Sequence, residues 1–238
     1  MYEAIILAGG FGTRLRETVP DLPKPMAPIA GKPFLAWQLD YLIACGVSRF
    51  ILSVGYKANT IRDYFGDTYG DATIVYVEEV EPLGTGGALQ LALDQASQSR
   101  VFAFNGDTLC EANLQHLRTL VDHRPDAVGI LVKHIDNTAR YGAIEFDASG
   151  FVTAFGEKSK QGAGFINAGI YDVPRDLFNN LRLSPPFSFE AAVLNQLSGK
   201  NLFATLAGEF FIDIGIKDDF LLAQTLVPFF VDTSNKAN

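Results

Sequence analysis

Short apolar runs alternate with amphipathic stretches through the first half of the chain. Ala4-Ile-Ile-Leu7, Arg49-Phe-Ile-Leu-Ser-Val54, Thr73-Ile-Val-Tyr-Val77 and Val101-Phe-Ala-Phe-Asn105 are four to six residues long and rich in β-branched and aromatic side chains. That is the pattern of strands buried on both faces. Between them, Phe34 to Cys45 places Leu35, Leu39, Leu42 and Ile43 at helical spacing, and Gly46 follows as a stop. Asn59 and Thr60 stand where they can cap a helix through Phe65, and a run to Gln95 puts Leu89 and Leu93 on one face. A helix from Leu114 to Arg124 and a strand from Ala127 to Lys133 continue the series. The alternation predicts an α/β fold, a mostly parallel sheet with helices on both faces.

From Tyr141 the character changes. Tyr141 to Phe146, Phe151 to Phe155 and Gly164 to Tyr171 read as short mixed or antiparallel strands that cover the active edge of the sheet. Two helices are predicted near Arg175 to Leu181 and Phe189 to Leu197, the second capped by Ser188. A strand near Phe203 to Ala207 leads to Phe210-Phe-Ile-Asp213-Ile-Gly215, and Asp218 to Thr225 begins a last helix. The polar tail from Asp232, residues 232–238, is expected to fray. Residues 1–231 are expected to form one domain, and no hexapeptide repeat or other internal repeat is visible.

Composition narrows the class. Of 238 residues, 48% are apolar and 19% charged, enough for a real core. No apolar run approaches the ~20 residues that cross a bilayer, and no secretory signal pattern opens the chain. Cys45 and Cys110 form no Cys-x-x-Cys pair and read as buried free thiols in a reducing cytoplasm. A net charge of −8 argues against nucleic acid and anionic membrane as partners. Cations nonetheless gather locally, at Arg14, Arg16, Lys24 and Lys32.

Those cations surround the one stretch that carries chemistry. Leu7-Ala-Gly-Gly-Phe-Gly-Thr-Arg-Leu15 comes directly after the first strand, and Pro23-Lys24-Pro25 closes it. Gly9, Gly10 and Gly12 let backbone N–H groups approach a ligand with no Cβ in the way. Arg14 is a fork of donors suited to phosphate oxygens, and two prolines stiffen the backbone around Lys24. The set suggests a polyphosphate site. It is not a Walker loop, because Thr13-Arg14 comes after Gly12, and not a dinucleotide fingerprint, because position 15 is Leu. Pro82-Leu-Gly84-Thr85-Gly86-Gly87 suits a nucleotide at a helix start or a plain helix start equally well. Asp107 ends a central strand, where open α/β sheets bind ligands, or it is a turn residue. No His-Glu-x-x-His and no Gly-x-Ser-x-Gly is present; His116 and His123 read as residues on the solvated side of a helix.

The glycine loop with its Pro-Lys-Pro resembles the signature of the sugar-1-phosphate nucleotidyltransferases at every motif position. Asn105-Gly-Asp107, Tyr141-Gly142, Glu157-Lys158, Asn167-Ala-Gly169 and Asp213-Ile-Gly215 come in family order, so the likeness covers nearly the whole chain. It implies a Rossmann-like, mostly parallel central sheet of the nucleotide-diphospho-sugar transferase type, with a small β-rich sugar-binding portion. On that reading residues 1–135 are the nucleotide-binding half and 136–231 the sugar-phosphate-binding half. The implied reaction is attack of a sugar 1-phosphate oxygen on the α-phosphorus of a nucleoside triphosphate, with Mg²⁺ as cofactor and pyrophosphate as leaving group.

The resemblance also implies roles. Arg14, Lys24, Asp107 and Asp213 are the catalytic set, with Asp107 and Asp213 holding Mg²⁺. Leu7, Ala8, Gly9, Gly10, Gly12, Thr13, Glu79, Gly84 and Thr85 face the nucleotide. Gly142, Glu157, Lys158 and Asn167 face the sugar phosphate, although singly each of the last three reads equally well as a turn or surface residue. A metal-dependent glycosyltransferase would carry an Asp-x-Asp pair, but position 105 is Asn; a non-catalytic binding module would have lost Arg14, Lys24, Asp107 or Asp213. Within the family the chain is most similar to short guanylyltransferases of bacterial surface-polysaccharide synthesis that act on a manno-heptose 1-phosphate. Pro25-Met-Ala-Pro-Ile29 with Lys32-Pro-Phe-Leu35, Gly164 to Tyr171, Phe187-Ser-Phe-Glu190 and Phe210 to Gly215 carry that likeness. Glu79, in the segment expected to face the base, is either a surface residue or points the same way: a carboxylate accepts two hydrogen bonds from guanine N1–H and N2, but at most one from uracil or thymine N3–H. The expected substrates are therefore GTP and the heptose 1-phosphate, with a hexose or amino-sugar 1-phosphate and uridylyl transfer as alternatives. Self-association is left open.

Overall fold

The structure, a computed structural model, describes residues 1–10, 19–155 and 162–237. Gly12, Thr13, Arg14, Glu157 and Lys158 lie outside the described residues. In chain order come β1 (Tyr2–Leu7), the small hairpin β2 (Pro28–Ile29) and β3 (Lys32–Pro33), α1 (Phe34–Ala44), β4 (Val47–Val54) and α2 (Ala58–Phe65). Next are β5 (Thr68–Tyr69), β6 (Ala72–Glu78), α3 (Gly84–Leu93), β7 (Arg100–Asn105), β8 (Thr108–Cys110) and α4 (Leu114–Val121). The second half holds β9 (Val128–Ile135), β10 (Ala143–Phe146), β11 (Val152–Phe155), β12 (Gly164–Pro174), α5 (Asn195–Leu197), β13 (Leu202–Leu206), β14 (Phe211–Asp213) and α6 (Lys217–Ala237).

The central strands run in the order β6-β4-β1-β7, all parallel. Side chains alternate between the two faces of each strand. Ala4 and Ile6 of β1 join the core beneath α1 and α6, while Ile5 joins the core beneath α3. Both faces are thus covered, which is why these strands read as unbroken apolar runs. The long strand β12 lies antiparallel to β7 and ties the second half into the same sheet; β9 and β10 pair with β12 in turn. The expected parallel central strands with helices on both faces form, within a sheet that is mixed overall because β5, β10, β11 and β12 pair antiparallel.

Three local expectations are corrected. Helix α2 starts at Ala58, straight after Lys57 reverses the backbone at φ 54, so Asn59 and Thr60 sit in its first turn rather than at its cap. Residues 175–180 are a chain of turns closed by Leu177 N–H on Pro174 O, Asn179 N–H on Asp176 O and Leu181 N–H on Phe178 O, not a helix. The helix expected over 189–197 does form, as a π-helical stretch, Glu190–Leu194, running into α5, and the Ser188 hydroxyl caps it by accepting the Ala191 N–H at 3.2 Å. Helix α6 carries through Pro228 and Asp232 to Ala237 instead of fraying, because Phe230 and Val231 are buried and Phe230 packs on Tyr41 with ring centroids 5.0 Å apart. His116 is exposed as expected, but His123 lies beyond the end of α4. Cys45 and Cys110 are free thiols, Cys45 half-buried and Cys110 fully buried, where desolvation pushes its thiol up to about 12.

A buried ion cluster fastens β12 to β7 and α4. The Asp172 carboxylate, fully buried, accepts from Arg100 Nε at 3.1 Å and from Arg118 Nε at 2.5 Å. Arg100 also donates to Ala127 O at 2.8 Å, so its guanidinium spans three strands. Removing one member strands the others in low dielectric. Asp172→Ala is therefore expected to lower unfolding free energy by about 3–5 kcal/mol, measured by urea titration. Loss of less than about 1 kcal/mol would mean that the arginines find water instead.

Candidate active site

A cleft of about 950 Å³ opens at the carboxyl ends of the parallel strands, where α/β sheets place ligands. Its floor is built from the residues just past each strand: Gly9 and Gly10 after β1, Gly55 and Tyr56 after β4, Glu79 after β6, and Gly106-Asp107 after β7. Strands β1 and β7 are neighbours, with Leu7 opposite Asn105, and Gly106 N–H donates to Leu7 O at 3.1 Å. The glycine loop and the Asp107 turn therefore start side by side.

The second acid arrives by a short ribbon. Strand β14 pairs antiparallel with β8, placing Asp213 opposite Thr108, and Ile214 N–H donates to Asp107 O at 3.0 Å. Lys24 comes from a third direction, on a single helical turn whose Met26 and Ala27 N–H groups return to Pro23 O and Lys24 O. Its ammonium lies 2.5 Å from Asp107 Oδ2 and 3.8 Å from Asp213 Oδ1. Burial and the neighbouring Asp107 charge push the Asp213 carboxyl above its ordinary value; Lys24, the Gly215 N–H at 2.8 Å and Arg140 pull the other way. Two carboxylates thus share one ammonium in a partly dehydrated corner and remain short of positive charge. That donor set, hard oxygens only, suits a small divalent cation. Among the described residues no cluster of three or more His, Cys, Asp or Glu side chains exists, so the remaining ligands of such a cation would be substrate oxygens and water.

The opposite wall depends on a bulge. Asn167 pairs with Val132 of β9 and Tyr171 with Ile130, so β12 carries two extra residues between them. Gly169, at φ 73, makes the bend, and a Cβ there would stand 2.8 Å from the Asn105 amide nitrogen. The bend turns Asn167 into the cleft. Its Oδ1 accepts the Gly169 N–H at 3.0 Å, while its Nδ2 donates to the Tyr171 hydroxyl at 2.7 Å and to Glu190 Oε1 at 2.8 Å.

At the other end, Glu79 lies against Gly9; a Cβ on Gly9 would meet Glu79 Oε1 at 2.2 Å. The carboxylate accepts from Ser53 Oγ and from Leu83 N–H, each at 3.2 Å. Thr85 also lines the cleft, and its hydroxyl accepts the Phe189 N–H at 2.9 Å. Gly86 and Gly87 have a different use from the ligand approach considered for them. A Cβ on Gly86 would stand 2.3 Å from the Phe187 ring, and one on Gly87 2.9 Å from Leu83 and 3.2 Å from Pro185, so these glycines admit a neighbouring chain segment.

Of the residues singled out by sequence, Leu7, Gly9, Gly10, Lys24, Glu79, Gly84, Thr85, Asp107, Gly142, Asn167 and Asp213 all line this cleft. Ala8 is buried behind it, its N–H on Ser53 O at 2.8 Å. Arg140, Tyr141, Tyr171 and Glu190 also line it and were not singled out. Arg140 and Tyr141 stand directly before Gly142, and Tyr141 shares its motif, which was the available signal. Tyr171 and Glu190 stand in segments that carry the family likeness, but nothing there marked either side chain for the cleft, where both meet Asn167.

The fold and cleft define an α/β phosphate-handling enzyme with a lysine between two carboxylates. Residues 3–227 match the family model described as "Nucleotidyl transferase". The chain is 41% identical over 224 residues to the D-glycero-alpha-D-manno-heptose 1-phosphate guanylyltransferase of Aneurinibacillus thermoaerophilus, covering 93% of this chain and 96% of that one. It is 38% identical over 218 residues to the protein of the same name from Campylobacter jejuni, at 92% and 96% coverage. A crystal structure of HddC from Yersinia pseudotuberculosis complexed with GMP-PN superposes with TM-score 0.81 at 37% identity, covering 94% of this chain and 98% of that one. The chain belongs to the nucleotidyl transferase family.

Lys24 is the only basic side chain among the described residues within 4 Å of both carboxylates. Lys24→Ala is expected to reduce kcat by about 10²–10³ while circular dichroism shows a folded protein. A folded Lys24→Ala enzyme with near-normal kcat would remove the residue from the chemistry.

Proposed function

We propose that the protein transfers GMP from GTP to D-glycero-α-D-manno-heptose 1-phosphate, releasing pyrophosphate. The observation that carries this is the corner where Lys24 lies between Asp107 and Asp213 at the ends of β7 and β14. The guanylyltransferase names of relatives matched over nearly their full length support the substrates. We assign the nucleotide to residues 1–135 and the sugar phosphate to residues 136–231.

A phosphate oxygen of the sugar 1-phosphate forms a bond to the α-phosphorus, and the bond from that phosphorus to the β-phosphate bridging oxygen breaks. Two anions must approach while charge grows on the leaving group, so the protein's task is orientation and charge neutralisation. Gly9 and Gly10, with Gly12, Thr13 and Arg14, receive the β- and γ-phosphates through backbone N–H groups and a guanidinium. Lys24 sits where its ammonium neutralises the α-phosphate in the crowded transition state. Lys158 holds the incoming phosphate; Glu157, Asn167 and the Gly142 backbone hold sugar hydroxyls. Glu79 accepts from guanine N1–H and N2: its two oxygens have further lone pairs beyond those used by Ser53 and Leu83.

Members of the family generally use a divalent metal. We assign Mg²⁺ to Asp107 and Asp213, where it supplies charge stabilisation at the phosphoryl oxygens. No helix among the described residues is long and apolar enough to cross a membrane. We place the enzyme in the cytoplasm, with small-molecule substrates and neither nucleic acid nor membrane as partner.

EDTA is expected to abolish activity. Asp107→Asn and Asp213→Asn should each raise the Mg²⁺ concentration for half-maximal rate by about tenfold or more, because an amide keeps the shape and loses the charge. Wild-type rates at limiting Mg²⁺ in either variant would release that carboxylate from the role.

Substrate choice is read from a pyrophosphate-release matrix. Four nucleoside triphosphates are set against manno-heptose, mannose, glucose and amino-sugar 1-phosphates. The highest kcat/KM is expected for GTP with the heptose 1-phosphate. A preference for UTP, dTTP or glucose 1-phosphate would overturn the substrates and leave nucleotidyl transfer standing.

A further inference from the structure

The Asp107 turn is held from below by a buried amide that none of the motifs contains. Gln38 lies on α1, 1% exposed, directly under the end of β7. Its Nε2 donates to Asn105 O and to Thr108 O, each at 2.9 Å. Those are the first and last carbonyls of the turn that carries Asp107. The orientation of the amide is settled by chemistry: two carbonyl oxygens can be met only by the NH₂ end. The other end, Oε1, is buried and has no hydrogen-bond donor among the described residues.

That asymmetry matters. A buried acceptor without a donor is costly, and an apolar side chain of the same size would avoid the cost. As a core-filling residue Gln38 is therefore a poor choice. As a brace it is well matched, because its two N–H bonds pin both ends of one turn and no apolar residue can do so. Above the turn, Asp107 Oδ2 meets Lys24 and Asp107 O accepts Ile214 N–H. Asn105, at the near end of the turn, packs in turn on Gly169, whose bend presents Asn167.

We propose that Gln38 is a positioning residue: it acts through the backbone of Asn105 and Thr108 to aim the Asp107 carboxylate at the divalent cation. The inference rests on the reading of Asp107 as a metal ligand. Groups that orient ligands from behind typically cost 10–100-fold in metal affinity when removed, whereas a packing residue changes stability alone.

The test grades the number of donors. Gln38 offers two N–H bonds, a protonated Glu at the same position offers one O–H, and Met offers none at similar length. Wild type, Gln38→Glu and Gln38→Met are compared by Mn²⁺ titration, read out by water-proton relaxation in the presence of a non-hydrolysable GTP analogue, and by thermal melting. The expected order of affinity is wild type, then Gln38→Glu, then Gln38→Met, with Gln38→Met about tenfold or more weaker. Its melting temperature is expected to fall by several degrees, because the Asn105 and Thr108 carbonyls each lose a donor, so affinity is read below the melting range, where the variant is folded. Gln38→Met and Gln38→Glu proteins that bind Mn²⁺ as tightly as wild type would overturn the inference and leave the metal reading intact. A wild-type protein that binds no Mn²⁺ would overturn the metal reading, and this inference with it.

Discussion

The contact on which the site depends is the Lys24 ammonium between Asp107 and Asp213. Three segments distant in sequence meet there, each delivered by a different device: a proline-stiffened turn, the end of a central strand, and a two-stranded ribbon. Without the ammonium, two carboxylates would face one another in a corner where burial already pushes Asp213 up. With it, the corner keeps a net negative charge, which suits a divalent cation. The same three groups thus set local electrostatics at the point around which the cleft walls are arranged.

Those walls divide along the sheet. On one side lie the parallel strands β1, β4 and β6, whose ends present Gly9, Gly55 and Glu79. On the other lies the antiparallel β12, whose bulge at Gly169 brings Asn167, Tyr171 and Glu190 into one hydrogen-bonded group. The switch from parallel to antiparallel between β7 and β12 is where the two halves of the cleft meet, and Asp107 sits at that switch.

The parts legible in the sequence were the contiguous ones. The strand from Ala4 to Leu7, its glycine loop, the Pro-Lys-Pro and the acid after Val101 to Asn105 each advertise themselves through a run of neighbouring residues. The site residues they predict line one cleft, or in the case of Ala8 back it, wherever the structure describes them. The features that stayed hidden are non-local. Gly86 and Gly87 read equally well as ligand glycines or as a plain helix start, and the chain that approaches them is the segment 185–187, about a hundred residues on by sequence. Gln38 sits among apolar helix positions, and only the carbonyls of Asn105 and Thr108 above it reveal its purpose. The turns at 175–180 and the persistence of α6 past Asp232 were likewise decided by tertiary packing over local composition.

The central claim is that Lys24, Asp107 and Asp213 form one phosphate- and metal-handling centre. Its most direct test is anomalous diffraction from crystals grown with Mn²⁺ and a non-hydrolysable GTP analogue. The account predicts a manganese peak ligated by both carboxylates, with the Lys24 ammonium on the α-phosphate. A peak that touches neither Asp107 nor Asp213, or an analogue bound away from Lys24, would contradict it.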